Sequence, residues 1–300
     1  MRNNKKMIVC FLTPALFMFL MVFLYPLCRT IAMSFFHVEG VSDAVNTWTF
    51  AGLENYITLI NTPIFYDAMF NMLKIWLWGG IIVMVISMLF AAILTSGVRG
   101  KTFYKTVVYI PNIINAVAMS TMWITAIFNK RFGFLHTFFE LFNSDLAKTD
   151  YMNGSIKFWS LLIAFCFGSV GYYMLIFMGG IERIPADIYE AATIDGASKV
   201  KQFFALTLPL MRSVIKTCLT FWTIGVVGFF VWSQMWSAPL ASELTTITPF
   251  VYMYNITFGT QGNTQRNAAL GAAVGVLMAL TVLIVFFLIN RLVKDDDVEL

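Results

Sequence analysis

The sequence predicts an all-α, polytopic membrane protein whose six transmembrane helices carry a helix–turn–helix loop between the fourth and the fifth. Three observations lead there. Hydrophobic residues make up 59% of the 300-residue chain and charged residues 12%, with a mean hydropathy of +0.77. A soluble domain carries about 25% charged residues, so much of this surface faces something other than water. Six apolar runs have the length of a membrane crossing, and the basic residues fall unevenly on the two sides that those runs define.

The runs are Met7–Cys28, Ile75–Leu94, Val107–Phe128, Phe158–Ile181, Thr217–Trp236 and Ala268–Ile289. Each holds 20 to 24 residues without Asp, Glu, Lys or Arg, and about 20 suffice to cross a hydrocarbon core. One charge at a helix centre costs about 2.5–3.5 kcal/mol on the insertion scale, so six charge-free windows are a strong signal. Backbone groups in lipid must pair within their own segment, and runs this long do so as helices rather than barrel strands. The first run follows Lys5-Lys6 as a signal peptide would. It is longer than a signal core and no small-residue cleavage pattern follows Tyr25-Pro26, so it reads as a retained span. Cys10, Cys28, Cys166 and Cys218 lie in or beside spans without metal-ligand spacing, which argues against a disulfide framework.

Six spans put both termini on one side. That side holds Arg2, Lys5, Lys6, Arg99, Lys101, Lys105, Arg183, Lys199, Lys201, Arg212, Lys216, Arg291 and Lys294. The other holds Arg29, Lys74, Lys130, Arg131, Lys148, Lys157 and Arg266, a split of 13 against 7. The positive-inside rule makes the termini cytoplasmic. This distribution accounts for the net charge of +4 and calls for no nucleic-acid partner.

On the cytoplasmic side one connection is long, Glu182 to Lys216. Its stretch from Ile184-Pro185 to Ala197 reads as a short helix, with Pro185 in the first turn and Asp187 and Glu190 near the positive end of the macrodipole. Gly196 is placed to end it in a left-handed conformation. A second amphipathic segment begins near Ser198, carries Phe203, Phe204 and Leu206, and is expected to break at Leu208-Pro209. On physics alone, an interfacial amphipathic loop is an equal reading.

Glu190-Ala191-Ala192, three residues, Gly196, nine residues and then Leu206-Thr207-Leu208-Pro209 resemble the EAA signature of type I ABC importer permeases, with Leu206 for the usual isoleucine. Asp195-Gly196-Ala197 also follows the family. The resemblance covers nearly the whole chain and points to the maltose and glycerol-3-phosphate branch. Pro14, Tyr25-Pro26 and Ser34-Phe35 resemble that branch's opening span, and Gly52-Leu53-Glu54-Asn55-Tyr56 its first external loop. Asn71, Tyr109-Ile110-Pro111, Trp123, Phe128-Asn129 and Phe132-Gly133 follow it through the second and third spans. One departure is Ser237-Ala238-Pro239-Leu240, where the family has glycine-glycine-proline after the fifth span.

The resemblance implies a single transmembrane permease domain over residues 1–300, with 182–216 as its ATPase-coupling loop. It implies that Glu190, Ala191, Ala192, Asp195, Gly196, Ala197, Leu208 and Pro209 serve that coupling. It also implies a second related permease, a dimer of cytoplasmic ATPase subunits, an external solute-binding protein and import of a carbohydrate by alternating access. No cofactor is expected on this chain, since ATP and Mg would bind the ATPase. Sugars are held by aromatic stacking and neutral hydrogen-bonding groups, which the fourth and fifth spans supply as Ser169, Tyr172, Tyr173, Trp222 and Gln234. Tyr172 matches a sugar-contacting tyrosine of maltose-type permeases by its distance before Ile184-Pro185. The family's polar contact positions, counted from Pro209, fall on Trp222, Val226 and Phe229. Packing between helices is an equal reading for Tyr172 and Trp222.

Other features carry less. Gly97-Val98-Arg99-Gly100-Lys101-Thr102 looks like a phosphate-binding loop, but the Walker pattern needs glycine where Thr95 stands. His37 and His136 are isolated in external loops, and Asp295-Asp296-Asp297 with Glu299 is an acidic tail. Gly271 and Gly275, with Ala268, Ala272 and Ala279, form a small-residue face that suits intramolecular packing ahead of a specific subunit interface. A stand-alone secondary transporter or channel for a neutral polar solute is the alternative. It predicts charged residues inside spans and inverted repeats, neither of which the sequence displays.

Overall fold

The computed structural model describes residues 5–142, 144–237, 244–260 and 265–293. The Ala238–Leu240 part of the departure noted above and the acidic tail lie outside them. Among the described residues four helices are long and apolar enough to cross a membrane unaided: α1 (Val9–Met33), α3 (Pro63–Thr95), α7 (Gly154–Ile181) and α13 (Ala268–Leu292). Between the first two lies α2 (Glu54–Ile60). The expected third span is instead a bent pair, α4 (Lys101–Ile113) and α5 (Ala116–Ile127), meeting at 97°. Ile114 and Asn115 are extended there, and the Asn115 side chain accepts from the Val117 N–H to start the new helix. A short α6 (Phe134–Glu140) follows.

The loop after α7 holds α8 (Ala186–Ile194) and α9 (Lys199–Leu210), and α10 (Arg212–Val227) leaves α9 at 68°. The expected fifth run is interrupted at Gly228–Phe230, after which α11 (Val231–Trp236) resumes. Then comes α12 (Pro249–Phe258). Helices also outrun the apolar windows, so Lys74 lies within α3 and a buried Lys157 within the first turn of α7. The Lys74 ammonium sits 4.3 Å from the ring centre of Phe158 and 5.0 Å from that of Phe70, a cation–π arrangement close to a helix end.

The described chain divides into two compact units. The first takes the chain up to Tyr66 and returns with Pro249–Leu280. In it α1 leads to a two-stranded antiparallel hairpin, β1 (Phe36–His37) and β2 (Thr49–Phe50). Buried Asn55 closes it, donating to the Ser34 and Phe36 carbonyls at 3.0 and 2.9 Å, while the Tyr56 hydroxyl donates to Ser34 Oγ at 2.7 Å. Motif residues 21 and 22 apart in sequence thus form one joint. Met33, Val38, Ala268, Ala269 and Ala272 make a small core beneath it. The small-residue face of α13 is filled from within the chain at its Gly271 end, where a Cβ would lie 2.0 Å from Thr257 Oγ1 of α12, while Ala279 is exposed.

The second unit, Asp67–Thr248 with the end of α13, holds every candidate site residue. Its centre is α3 against α7, where the Ser87 hydroxyl donates to the Val170 carbonyl at 2.8 Å. Gly171 lets α7 press on α4, since a Cβ there would stand 2.5 Å from the Val108 carbonyl oxygen. Asn71 donates to the carbonyls of Leu244 and Ile247, at 2.8 and 3.1 Å. Lys101 at the start of α4 bridges to Glu182 just past α7. All four cysteines are free thiols.

Candidate functional site: the 182–216 loop and the α7–α10 face

Pro185 stands one residue before α8, as its N-cap, rather than inside its first turn; its ψ of 136° is extended. Asp187 occupies the first turn, where a negative charge meets the positive end of the helix dipole. At the other end Gly196 has φ +75°, the left-handed value. The Gly196 N–H reaches the Thr193 carbonyl (3.1 Å) and the Ala197 N–H reaches that of Ala192 (2.9 Å), a Schellman cap. Only backbone conformation demands glycine, because a Cβ there would meet nothing within 4 Å.

α9 does not break at Pro209. The helix runs on to Leu210 and turns at Met211. A π turn, Phe203–Thr207, precedes the proline, and the Leu208 N–H bonds back to Phe203 rather than to residue 204. The widened turn accommodates the pyrrolidine ring, which would otherwise press on the carbonyl four residues back. Met211 is 1% exposed and rests on α7, where a Cβ at Gly180 would stand 2.7 Å from its Cε.

The signature residues then separate by exposure. Glu190, Ala191, Asp195 and Gly196 are exposed; Ala192, Ala197, Leu208 and Pro209 are half-buried. Ile194, on the same outer surface of α8, is 86% exposed. Glu190 has no ion pair among the described residues. The loop therefore presents a free carboxylate beside apolar surface.

The pathway candidates fare differently. Trp222, Val226 and Phe229 of the α10 region are 1%, 1% and 4% exposed, and Tyr173 of α7 is 6% exposed. Trp222 fills the gap left by Gly79 and Gly80 on α3; a Cβ on Gly80 would come within 2.8 Å of its Nε1. Its indole N–H donates to the Trp76 carbonyl (2.8 Å), and the Trp76 indole N–H donates to Thr223 Oγ1 (2.9 Å). Phe165 gathers the rest, with Trp222 at 5.5 Å and Phe229 edge-on at 4.7 Å. These four residues pack the bundle. Ser169 is half-buried and bonded within its own helix to the Phe165 carbonyl. Tyr172 alone turns outward, 38% exposed. Sequence reading missed Trp76, Gly79 and Gly80; a glycine pair between tryptophans inside an apolar run is the signal of close helix approach.

Where the phosphate-loop decoy lies, the chain is the connection between α3 and α4, with Gly97 and Gly100 both at positive φ. It joins two membrane helices and follows no β-strand. His37 faces Glu54 at 3.3 Å on the surface, and the half-buried His136 faces Glu140 at 3.7 Å.

Comparison with known proteins agrees with this geometry. The arabinooligosaccharides transport system permease protein AraP of Bacillus subtilis is 29% identical over 269 residues, 87% of this chain and 82% of that protein. The diacetylchitobiose uptake system permease protein NgcF of Streptomyces coelicolor is 24% identical, covering 97% and 84%. A solved bacterial ABC transporter involved in import of the acidic polysaccharide alginate contains a chain of the same fold, with TM-score 0.80, 18% identity, and 97% and 96% coverage. Residues 87–295 match the family model for binding-protein-dependent transport system inner membrane components. That match takes in the whole loop, α7, α10 and most of the membrane helices, and on it the chain belongs to this family of multi-pass inner-membrane proteins, the permeases of ABC importers.

Proposed function

We propose that this permease imports a carbohydrate by alternating access, driven by a dimer of separate ATPase subunits and fed by an external solute-binding protein, in a complex with a second related permease. The observation that carries the reading is the exposed Glu190, without an ion pair among the described residues, on a short helix that Tyr189 and Thr193 tie into the loop. A permease performs no bond chemistry, so closure of the ATPase has to reach the spans through a stiff element that both chains grip. Glu190 meets a basic residue of the ATPase, Ala191 allows close approach, and ATP with Mg stays on that partner. The 13-to-7 split of basic residues puts the 182–216 loop and both termini in the cytoplasm.

Two relatives named for oligosaccharide uptake support a polyhydroxylated solute. Tyr172 is the residue of this chain best placed to meet it. It lies 12 residues before Ile184, about 18 Å along a helix and so near the membrane midplane. The test is uptake by the complex purified through a tag on this chain and reconstituted with its binding protein. Arabinotriose, diacetylchitobiose and maltotriose serve as probes. ATP-dependent accumulation of one of them supports the reading; ATP-independent flux of all three supports a secondary transporter or channel instead.

A further inference from the structure

The loop owes its shape to side chains outside the signature's defining positions. Gln202, 3% exposed in the first turn of α9, reaches across to α8: its Nε2 donates to Thr193 Oγ1 at 2.9 Å and to the Ala197 carbonyl at 3.1 Å. Its Oε1 accepts from Lys199 Nζ at 3.3 Å. Thr193 Oγ1 donates in turn to the Tyr189 carbonyl at 2.7 Å. One turn further along, the Tyr189 hydroxyl and the buried Thr207 hydroxyl lie 2.9 Å apart. Two rungs therefore join the helices, Thr193–Gln202 and Tyr189–Thr207. On α8 the rung residues are four apart and share a face. On α9 they are five apart, out of register with a 3.6-residue turn. The π turn Phe203–Thr207, whose bonds run five residues back, brings them towards one face.

Apart from these rungs, the chain passes from one helix to the other through Asp195–Ser198, a turn built on a glycine. Such a turn bends under load. A displacement of Glu190 would then be absorbed at Gly196 instead of reaching Met211, where α9 seats on α7 and passes into α10. We propose that Gln202 and the Tyr189–Thr207 pair are positioning residues that fasten α8 to α9, so that the two helices deliver ATPase movement to α7 and α10 as one body. This rests on the reading of the loop as the coupling element.

The test uses the reconstituted complex and the probe sugar that the wild type accumulates, and reads sugar transported per ATP hydrolysed. Gln202→Leu removes one rung at similar volume. Tyr189→Phe and Thr207→Val each remove the other with a change of an atom or two, so that failure to fold does not obscure the result. The expected outcome is ATP hydrolysis that the binding protein still stimulates, with transport per ATP lowered about fivefold in each single variant, the scale of one lost hydrogen bond. Tyr189→Phe combined with Thr207→Val should be no worse than either alone. Wild-type transport per ATP in Gln202→Leu and Tyr189→Phe, or transport that falls only as hydrolysis falls, overturns the proposal. Absence of ATP-dependent uptake by the wild-type complex would instead overturn the reading of the loop, and the brace with it.

Discussion

The 182–216 loop and the α3–α7–α10 bundle are built by opposite means. The loop is made of short helices that bury little, and it holds its shape with caps and crossed polar side chains: the Schellman turn at Gly196, the Gln202 bonds and the Tyr189–Thr207 pair. Half of its motif residues, Glu190, Ala191, Asp195 and Gly196, are exposed. The bundle is made of long apolar helices that fit by volume, with Trp222 entered into a slot between Gly79 and Gly80 and its indole N–H satisfied by a carbonyl. Its Tyr173, Trp222 and Phe229 point inward. The difference teaches that a residue type does not carry a role by itself. An exposed, satisfied scaffold offers its free side chains to another chain, whereas a tryptophan at membrane depth is first of all a large volume that neighbouring helices must accommodate.

The largest effects should come from the loop. Glu190→Lys and Gly196→Leu are expected to reduce uptake to background while the chain still inserts, read as transport per unit of membrane-inserted protein. The leucine costs about 1–2 kcal/mol for the left-handed backbone and has free space around it, so its harm falls on docking rather than folding. Full transport by a well-expressed Gly196→Leu variant would break the loop side of the comparison.

A smaller and different effect is expected in the bundle. Trp222→Ala empties a fully packed slot, a loss of about 3–5 kcal/mol on the scale of large-to-small core changes. The melting temperature of the detergent-solubilised complex should drop, with transport per folded complex unchanged. Tyr172→Ala, on the outward face of the same helix pair, should do the reverse: an unchanged melting temperature and reduced transport per folded complex. If both variants lower only stability, Tyr172 is a packing residue too and the proposed solute contact is lost.

The smallest perturbation sharpens orientation. Asp145 has a fully exposed side chain in the segment between α6 and α7. In a cysteine-free background, Asp145→Cys should react with an impermeant thiol reagent from outside the cell and leave transport unaltered. Labelling confined to inside-out vesicles would invert the loop, and Glu190 would then face no ATPase.

Periodicity, composition and the EAA spacing were enough to read the membrane helices, the turn at Gly196 and the family, because each rests on local chemistry. An apolar run long enough to cross lipid has few alternatives to a helix, and a left-handed turn at a helix end favours glycine. The sequence also placed Asp187 at the start of α8 for the same local reason. Tertiary structure settled what depends on neighbours distant in the chain. The 97° bend after Ile113, the interruption at Gly228–Phe230 and the continuation of α9 through Pro209 became legible only in the fold, where the Asn115 cap and the π turn Phe203–Thr207 form. Whether Trp222 meets solute or fills a gap depends on two glycines 142 and 143 residues away, and no spacing rule within α10 contains that information. The same holds for Gln202, an ordinary polar residue in sequence that becomes a fastening only because Thr193 and the end of α8 fold back onto it.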